Sequence, residues 1–242
     1  MIEVIEIVNR CDQEQGILRP FICECEDGEQ YFLKGSNSTA QGLIREWIAA
    51  NLASEFGLPT PTVEIGYIDM GLRQVVTPEW QGDLQFEHGF MSHSVAPCET
   101  VLFSDLSRIP LQLKRDILMF DYWIQNSDRH LTEMGGNINL LMTPVTKSLM
   151  VIDFNLSFEE PFSAQDMDGH VFRGTLHEQP LDLASRAEYG LRFDKAKERL
   201  AEFIREIPQE WVDSSASSKT ILKHIEETLA RHTQDEFWGA LT

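Results

Sequence analysis

Gln125-Asn126-Ser127-Asp128-Arg129-His130, then Gly135-Gly136-Asn137-Ile138-Asn139-Leu140-Leu141, then Val151-Ile152-Asp153-Phe154-Asn155: these three pieces set the reading of the chain. The first follows a helical stretch and packs an acid, a guanidinium and an imidazole side by side. Such a cluster costs stability unless every group is satisfied, so it is either a dense capping network or a site. The second feeds glycines and amides into a strand. The third ends an apolar strand on a carboxylate. An acid in a loop, an amide, and an acid after a hydrophobic strand are what phosphoryl transfer asks for. One carboxylate positions the acceptor hydroxyl, while an amide and a second carboxylate hold Mg²⁺. No single piece is specific; their order is.

Working outward, Leu111 to Gln125 reads as a helix, with Leu113, Ile117, Phe120 and Ile124 at helical spacing behind Pro110. Leu140–Met142 and Leu149–Phe154 read as short strands. Upstream, Pro20–Cys25 and Gln30–Lys34 flank Asp27-Gly28 and predict a β-hairpin. A helix follows from Gly42 to Phe56, its apolar stripe formed by Leu43, Ile44, Trp47, Ile48, Leu52 and Phe56, with Gly57 as its stop. Strands return at Val63–Ile68 and Arg73–Thr77. Downstream, Phe193–Glu206 and Ser218–Thr233 read as helices. Lys34 ends its strand, and Glu46 lies beside the apolar stripe of the helix. An acid near a buried helix edge wants a cationic partner, and a strand lysine paired with a helix glutamate is how kinases aim a lysine at nucleotide phosphates. The bland alternative is a solvated lysine and a solvent-facing acid.

Taken together, Asn126–His130, Asn137–Leu141 and Val151–Phe154 resemble the catalytic and metal motifs of HipA-like kinases, whose core is similar to that of the phosphatidylinositol 3/4-kinases. Tyr31-Phe32-Leu33-Lys34, Arg45-Glu46-Trp47, Gly57–Pro61 and Ile207–Trp211 extend the resemblance over roughly residues 15 to 235. It implies an α+β, bilobal protein-kinase-like fold. A small sheet-plus-helix lobe would span residues 1–80, and a larger, mainly helical lobe 81–242. It implies an ATP- and Mg²⁺-dependent serine/threonine protein kinase, with a toxin or regulatory role and an antitoxin or regulatory partner. Lys34 would meet the α/β-phosphates, held by Glu46. Asp128 would be the catalytic acid, with Arg129 and His130 beside it. Asn137 and Asp153 would ligate Mg²⁺. A hinge at Thr77, Glu79 and Trp80 would meet adenine, and Gly16–Pro20 would cover the phosphates.

Departures from the family pattern are concrete. Asp128 and Asn137 are nine residues apart where the kinase loop has five, so an insertion containing Thr132–Gly136 is required, or Glu133 or Asn139 is the ligand instead. The phosphate loop has one glycine, and Asn155 stands where a glycine commonly follows Asp-Phe. Two other readings stay open: a small-molecule or lipid-headgroup kinase, and a non-catalytic nucleotide-binding module.

Composition bounds the partners. The chain has 242 residues, 39 acidic against 20 basic, for a formal charge of −19. That field opposes direct nucleic-acid binding and docking on anionic lipid. No apolar run approaches a membrane span, and Met1–Glu6 is acidic where a signal peptide is basic, so a cytoplasmic location is expected. The four cysteines read as thiols in a reducing compartment, with Cys23 and Cys25 on one strand face. The seven histidines show no metal-binding spacing and, His130 apart, read as solvated or capping residues.

Overall fold

The computed structural model describes residues 1–11, 18–95 and 97–241. The first elements are β1 (Ile2–Arg10), β2 (Phe21–Cys25), β3 (Gln30–Lys34), α1 (Ala40–Phe56), β4 (Val63–Tyr67), α2 (Met70–Val75), α3 (Pro78–Gln81) and β5 (His88–His93). They are followed by β6 (Glu99–Thr100), α4 (Leu111–Trp123), β7 (Leu140–Met142), β8 (Leu149–Val151) and α5 (Thr175–Glu178). The remainder is helical: α6 (Leu183–Lys197), α7 (Leu200–Glu206), α8 (Gln209–Asp213), α9 (Ala216–Ala230) and α10 (Asp235–Gly239). The α+β expectation holds. None of these helices is long and apolar enough to cross a membrane.

β1 to β5 close into a barrel of order β1-β2-β3-β5-β4, with β1 and β4 parallel and the other neighbours antiparallel. The β2–β3 hairpin forms where Asp27-Gly28 predicts it. Gly28 takes φ 81°, and the Asp27 carboxylate accepts the Glu29 N–H at 3.0 Å. Val4, Phe21, Cys23, Cys25, Leu33 and Met91 fill the interior, so the two cysteines do share one face. Burial, followed by Asp27 and Glu26, pushes the Cys25 thiol up to about 11, which fits an inert core thiol.

Helix α1 begins at Thr39, whose hydroxyl accepts the Gly42 N–H, and ends at Gly57 in the left-handed conformation that a β-carbon disfavours. Its predicted stripe is buried throughout, each Leu, Ile or Phe contributing about 1.5–3 kcal/mol. The helix touches β4 and β5 on one side and α6 to α9 on the other. Aromatic packing continues that core, with Trp123 stacked on Phe193 at 4.5 Å and Phe56 on Phe193 at 5.3 Å. A second sheet, β6-β7-β8, lies beyond the barrel.

The predicted strand Arg73–Thr77 is corrected: α2 runs through Val75, and Thr77 is the N-cap of α3. Asp69 caps α2 by accepting the Gly71 N–H, and Pro78 sits in the first turn of α3, so end chemistry overrides the β-branched Val-Val-Thr run. Strand β8 stops at Val151 and not Phe154, because the chain turns at Asp153 with φ 61°. Helix α6 starts ten residues before the predicted Phe193. Its N-cap Asp182 fixes that start, while exposed Leu183 and Leu191 blur the amphipathic pattern.

Candidate active site

The end of β3, the middle of α1 and the turn after β8 meet at one point. Lys34 Nζ donates to both carboxylate oxygens of Glu46, at 2.7 and 2.8 Å, and to Asp153 Oδ1 at 2.9 Å. The Glu46 residue is 2% exposed. The side chains of Lys34 and Asp153 are 11% and 33% exposed, so the cluster is closed behind and open in front. Burial pulls the Lys34 ammonium down, but Asp153 and Glu46 more than offset it and hold the group charged. Burial, opposed by Lys34 and reinforced by Asp153, pushes the Glu46 carboxyl up to about 7.

Helix α4 delivers the second half of the site. Past its end, Gln125 adopts φ 56° and the Asn126 N–H returns to the Asp121 carbonyl at 2.8 Å, which turns the chain sharply into Asp128-Arg129-His130. Asp128 Oδ2 accepts the side-chain amides of Asn137 at 2.5 Å and Asn139 at 3.2 Å. Burial first, and then the Asp153 charge, raise the Asp128 carboxyl against the lowering pull of Asn139. His130 is exposed, its Nδ1 3.1 Å from the backbone carbonyl oxygen of Asp128 two residues earlier.

The nine-residue spacing has a structural explanation. Thr132 and Gly135 exchange two backbone hydrogen bonds in a tight turn, and the His130 N–H donates to the Asn137 carbonyl at 2.9 Å. Residues 132–135 therefore loop out with Met134 96% exposed, and the chain resumes its path at Asn137. Gly136 is required there: it has φ 157°, and a β-carbon would lie 2.5 Å from the His130 carbonyl oxygen. The exposed Glu133 sits in that turn.

Next, β7 and β8 pair antiparallel, and the Ile152 N–H donates to the Asn139 carbonyl at 3.1 Å. Asn139 thus sits across from the residue preceding Asp153. Both Asn139 and Asp153 carry positive φ, 49° and 61°, backbone strain of the kind found at functional sites.

The strand expected to lead into a hinge at Thr77, Glu79 and Trp80 is absent. Thr77 and Glu79 are exposed, and Trp80 packs edge-on against Phe21 at 5.6 Å on the barrel core. The chain leaves the barrel instead after β5, which pairs with β3 from Lys34↔Phe90 to Tyr31↔His93, and enters β6 of the second sheet. In the expected phosphate cover, Gly16 and Ile17 lie outside the described residues.

Two neighbours of the loop carry no assigned role in the sequence reading: Asp121 and His170. Asp121 Oδ2 accepts from Arg129 Nε at 2.7 Å and from His170 Nε2 at 2.9 Å, all three side chains being buried. Arg129 is fully buried, its guanidinium tied to Asp121 and to the Ile138 and Asn139 carbonyls. Asp121 had a signal, an acid on the apolar stripe of Ile117, Phe120 and Ile124.

No curated protein matches the sequence significantly. Among solved structures, the Golgi casein kinase superposes with TM-score 0.56 at 12% identity, covering 98% of this chain and 73% of that one. The Helicobacter pylori proinflammatory kinase CtkA superposes with TM-score 0.51 at 11% identity, covering 95% and 94%. HipA of Shewanella oneidensis, in complex with HipB and operator DNA, gives TM-score 0.44 at 11% identity over 93% and 62%. At these identities the likeness is one of fold. The family model for HipA-like kinases matches residues 4–241, essentially the whole chain, and the protein belongs to that family.

Proposed function

We propose that the chain is an ATP- and Mg²⁺-dependent phosphotransferase acting on a serine or threonine hydroxyl of a protein. The observation that carries this is Lys34 Nζ held between Glu46 and Asp153, with Asn139 bridging the two halves of the site: its side chain donates to Asp128 and its carbonyl receives the N–H of Ile152, the residue before Asp153. One ammonium faces two carboxylates, Glu46 and Asp153, a surplus of negative charge that suits a divalent cation. Among the described residues no three His, Cys, Asp or Glu side chains make a metal cluster by themselves. A cation here would take Asp153, an amide oxygen and phosphate oxygens, the hard donor set that Mg²⁺ prefers. We assign the amide to Asn139 over Asn137, because the Asn139 backbone is tied to Ile152 beside Asp153 while that of Asn137 is tied to His130.

In this reading the molecule is bilobal, divided after His93 and not at residue 80, and Ser94 and Val95 take the hinge role. Lys34 binds the α/β-phosphates. Asp128 orients the acceptor hydroxyl and takes its proton as the acceptor oxygen bonds to the γ-phosphorus. The bond to the β-phosphate oxygen breaks, and ADP leaves with the electron pair. Bound Mg²⁺ supplies neutralisation of phosphate charge. A toxin or regulatory role, an antitoxin partner and a cytoplasmic location rest on the family resemblance and sequence composition. The test is label transfer from γ-labelled ATP, with and without Mg²⁺, to protein and to small-molecule fractions of a cell extract. Protein labelling lost in Asp128→Ala and Asp153→Ala supports the reading. Full turnover in both variants would overturn the site, and label confined to small molecules would overturn the acceptor.

A further inference from the structure

The segment from Ser163 to Gly169 lies after Asp153 and is largely exposed, apart from buried Met167. His170 breaks that pattern, with only 3% of the residue exposed. A hydrophobic side chain would anchor the segment equally well. An imidazole in this place has a directional task.

Its two nitrogens have fixed duties. The Phe172 N–H donates to His170 Nδ1 at 3.1 Å, so Nδ1 is the lone-pair nitrogen and Nε2 carries the hydrogen that goes to Asp121 Oδ2. Asp121 is saturated in turn: Oδ1 accepts Asn126 Nδ2 at 2.9 Å and Arg129 at 3.4 Å, and Oδ2 accepts Arg129 Nε and His170. The far end of the guanidinium donates to the carbonyls of Ile138 at 2.9 Å and Asn139 at 2.6 Å. Asn139 receives the Ile152 N–H on the same carbonyl. A continuous buried path therefore runs from the Phe172 backbone through His170, Asp121 and Arg129 to the turn that presents Asp153. A second tie, the Val171 N–H to the Arg129 carbonyl at 3.0 Å, keeps the segment in place along its backbone.

We infer that His170 is a positioning residue for phosphoryl transfer: through Asp121 it fixes the angle of Arg129, and so the placement of Asn139 beside Asp128 and Asp153. This rests on the reading of Asp128 and Asp153 given above. It makes the segment after Asp153 a determinant of loop geometry without any residue of that segment touching the reacting atoms. Outer-shell partners of this type typically carry a 10- to 100-fold effect on metal affinity or activity.

Two substitutions in the full chain separate the two duties of the ring. In His170→Gln the amide nitrogen reaches the Nε2 position and keeps the Asp121 bond. In His170→Asn the amide oxygen takes the Nδ1 position and keeps only the Phe172 bond. His170→Gln is expected within about threefold of wild type, and His170→Asn to lose about tenfold or more in kcat with KM for ATP little changed. Without turnover, Mn²⁺ binding in the presence of a non-hydrolysable ATP analogue, read by electron paramagnetic resonance, is expected to weaken about tenfold in His170→Asn alone. Equal behaviour of the two variants, or losses that follow their melting temperatures, would make His170 an ordinary structural tie and overturn the inference. Nitrogen-15 spectra of wild type need no variant: an Nε2–H tautomer at His170 is expected, and an Nδ1–H tautomer would overturn it. Asp128→Ala is run alongside. If that variant is active, the reading of the site fails; if it is dead while His170→Asn is fully active, only the positioning role fails.

Discussion

Two polar clusters lie within a few residues of one another, and they are built on opposite principles. Around Arg129 the charges balance: one carboxylate, one guanidinium and one imidazole, all buried and saturated with hydrogen bonds. Around Lys34 they do not: Glu46 and Asp153 share one ammonium, and Asp153 is partly open to solvent. A saturated cluster holds shape, because nothing remains for a ligand to satisfy. An unsaturated one at a cleft is where the proposed reading puts the cation and the phosphates. On the proposed reading, the two charged clusters divide structure from chemistry by the balance of their charges.

The strongest way to break this comparison is to delete a carboxylate from each side. Asp153→Ala removes a surplus charge, so its thermal midpoint should stay close to wild type while turnover falls at least a thousandfold, within the ~10²–10⁴ range of a single essential group or beyond it. Asp121→Ala strands Arg129 in the interior and should cost about 3–5 kcal/mol in denaturant unfolding. If Asp153→Ala unfolded as readily as Asp121→Ala, the division of labour would collapse.

A smaller effect tests the revised hinge. Trp80→Ala removes an edge-on contact with Phe21 from a partly buried ring. The expected loss is about 1–2 kcal/mol, below the ~3–5 kcal/mol of a fully buried tryptophan, with KM for ATP unchanged. A rise in KM without loss of stability would return Trp80 to the nucleotide site.

Lys34, Glu46, Asp128 and Asp153 were legible because each breaks a local rule: a charge at a strand end, an acid beside an apolar stripe, an acid in a tight polar turn. Helix α1 was legible from its stripe and Gly57. Strand β5 was not, since His-Gly-Phe-Met-Ser-His lacks a clean alternation. Its Gly89 answers to a neighbour that local sequence does not show, for a β-carbon there would meet the Lys34 carbonyl oxygen at 2.8 Å. Reading Arg73–Thr77 as a strand is what carried the expected hinge to Thr77–Trp80, whereas helices start at Met70 and Pro78. His170 was invisible for a related reason. Its partner Asp121 is distant in sequence, and a histidine in a polar loop carries no periodicity to place it.

The smallest expected effect is also the sharpest on the comparison, because the two clusters should respond to pH with opposite signs. Glu46 in the folded, metal-free protein titrates near 7, above its unfolded range, so between about 4.5 and 7 the folded state holds a proton that the unfolded state lacks. Raising pH through that window removes stability. His170 is held below its ordinary value by burial, against the opposing pull of Asp121, so it is neutral in the fold and charged in the unfolded chain below about pH 6.5. Raising pH through that window adds stability. Denaturant midpoints from pH 5 to 8 separate the two: Glu46→Gln should leave a slope that rises with pH, and His170→Gln one that falls. Slopes of the same sign in both variants would mean that the saturated cluster accepts a proton as readily as the unsaturated one, and stoichiometry would no longer distinguish them.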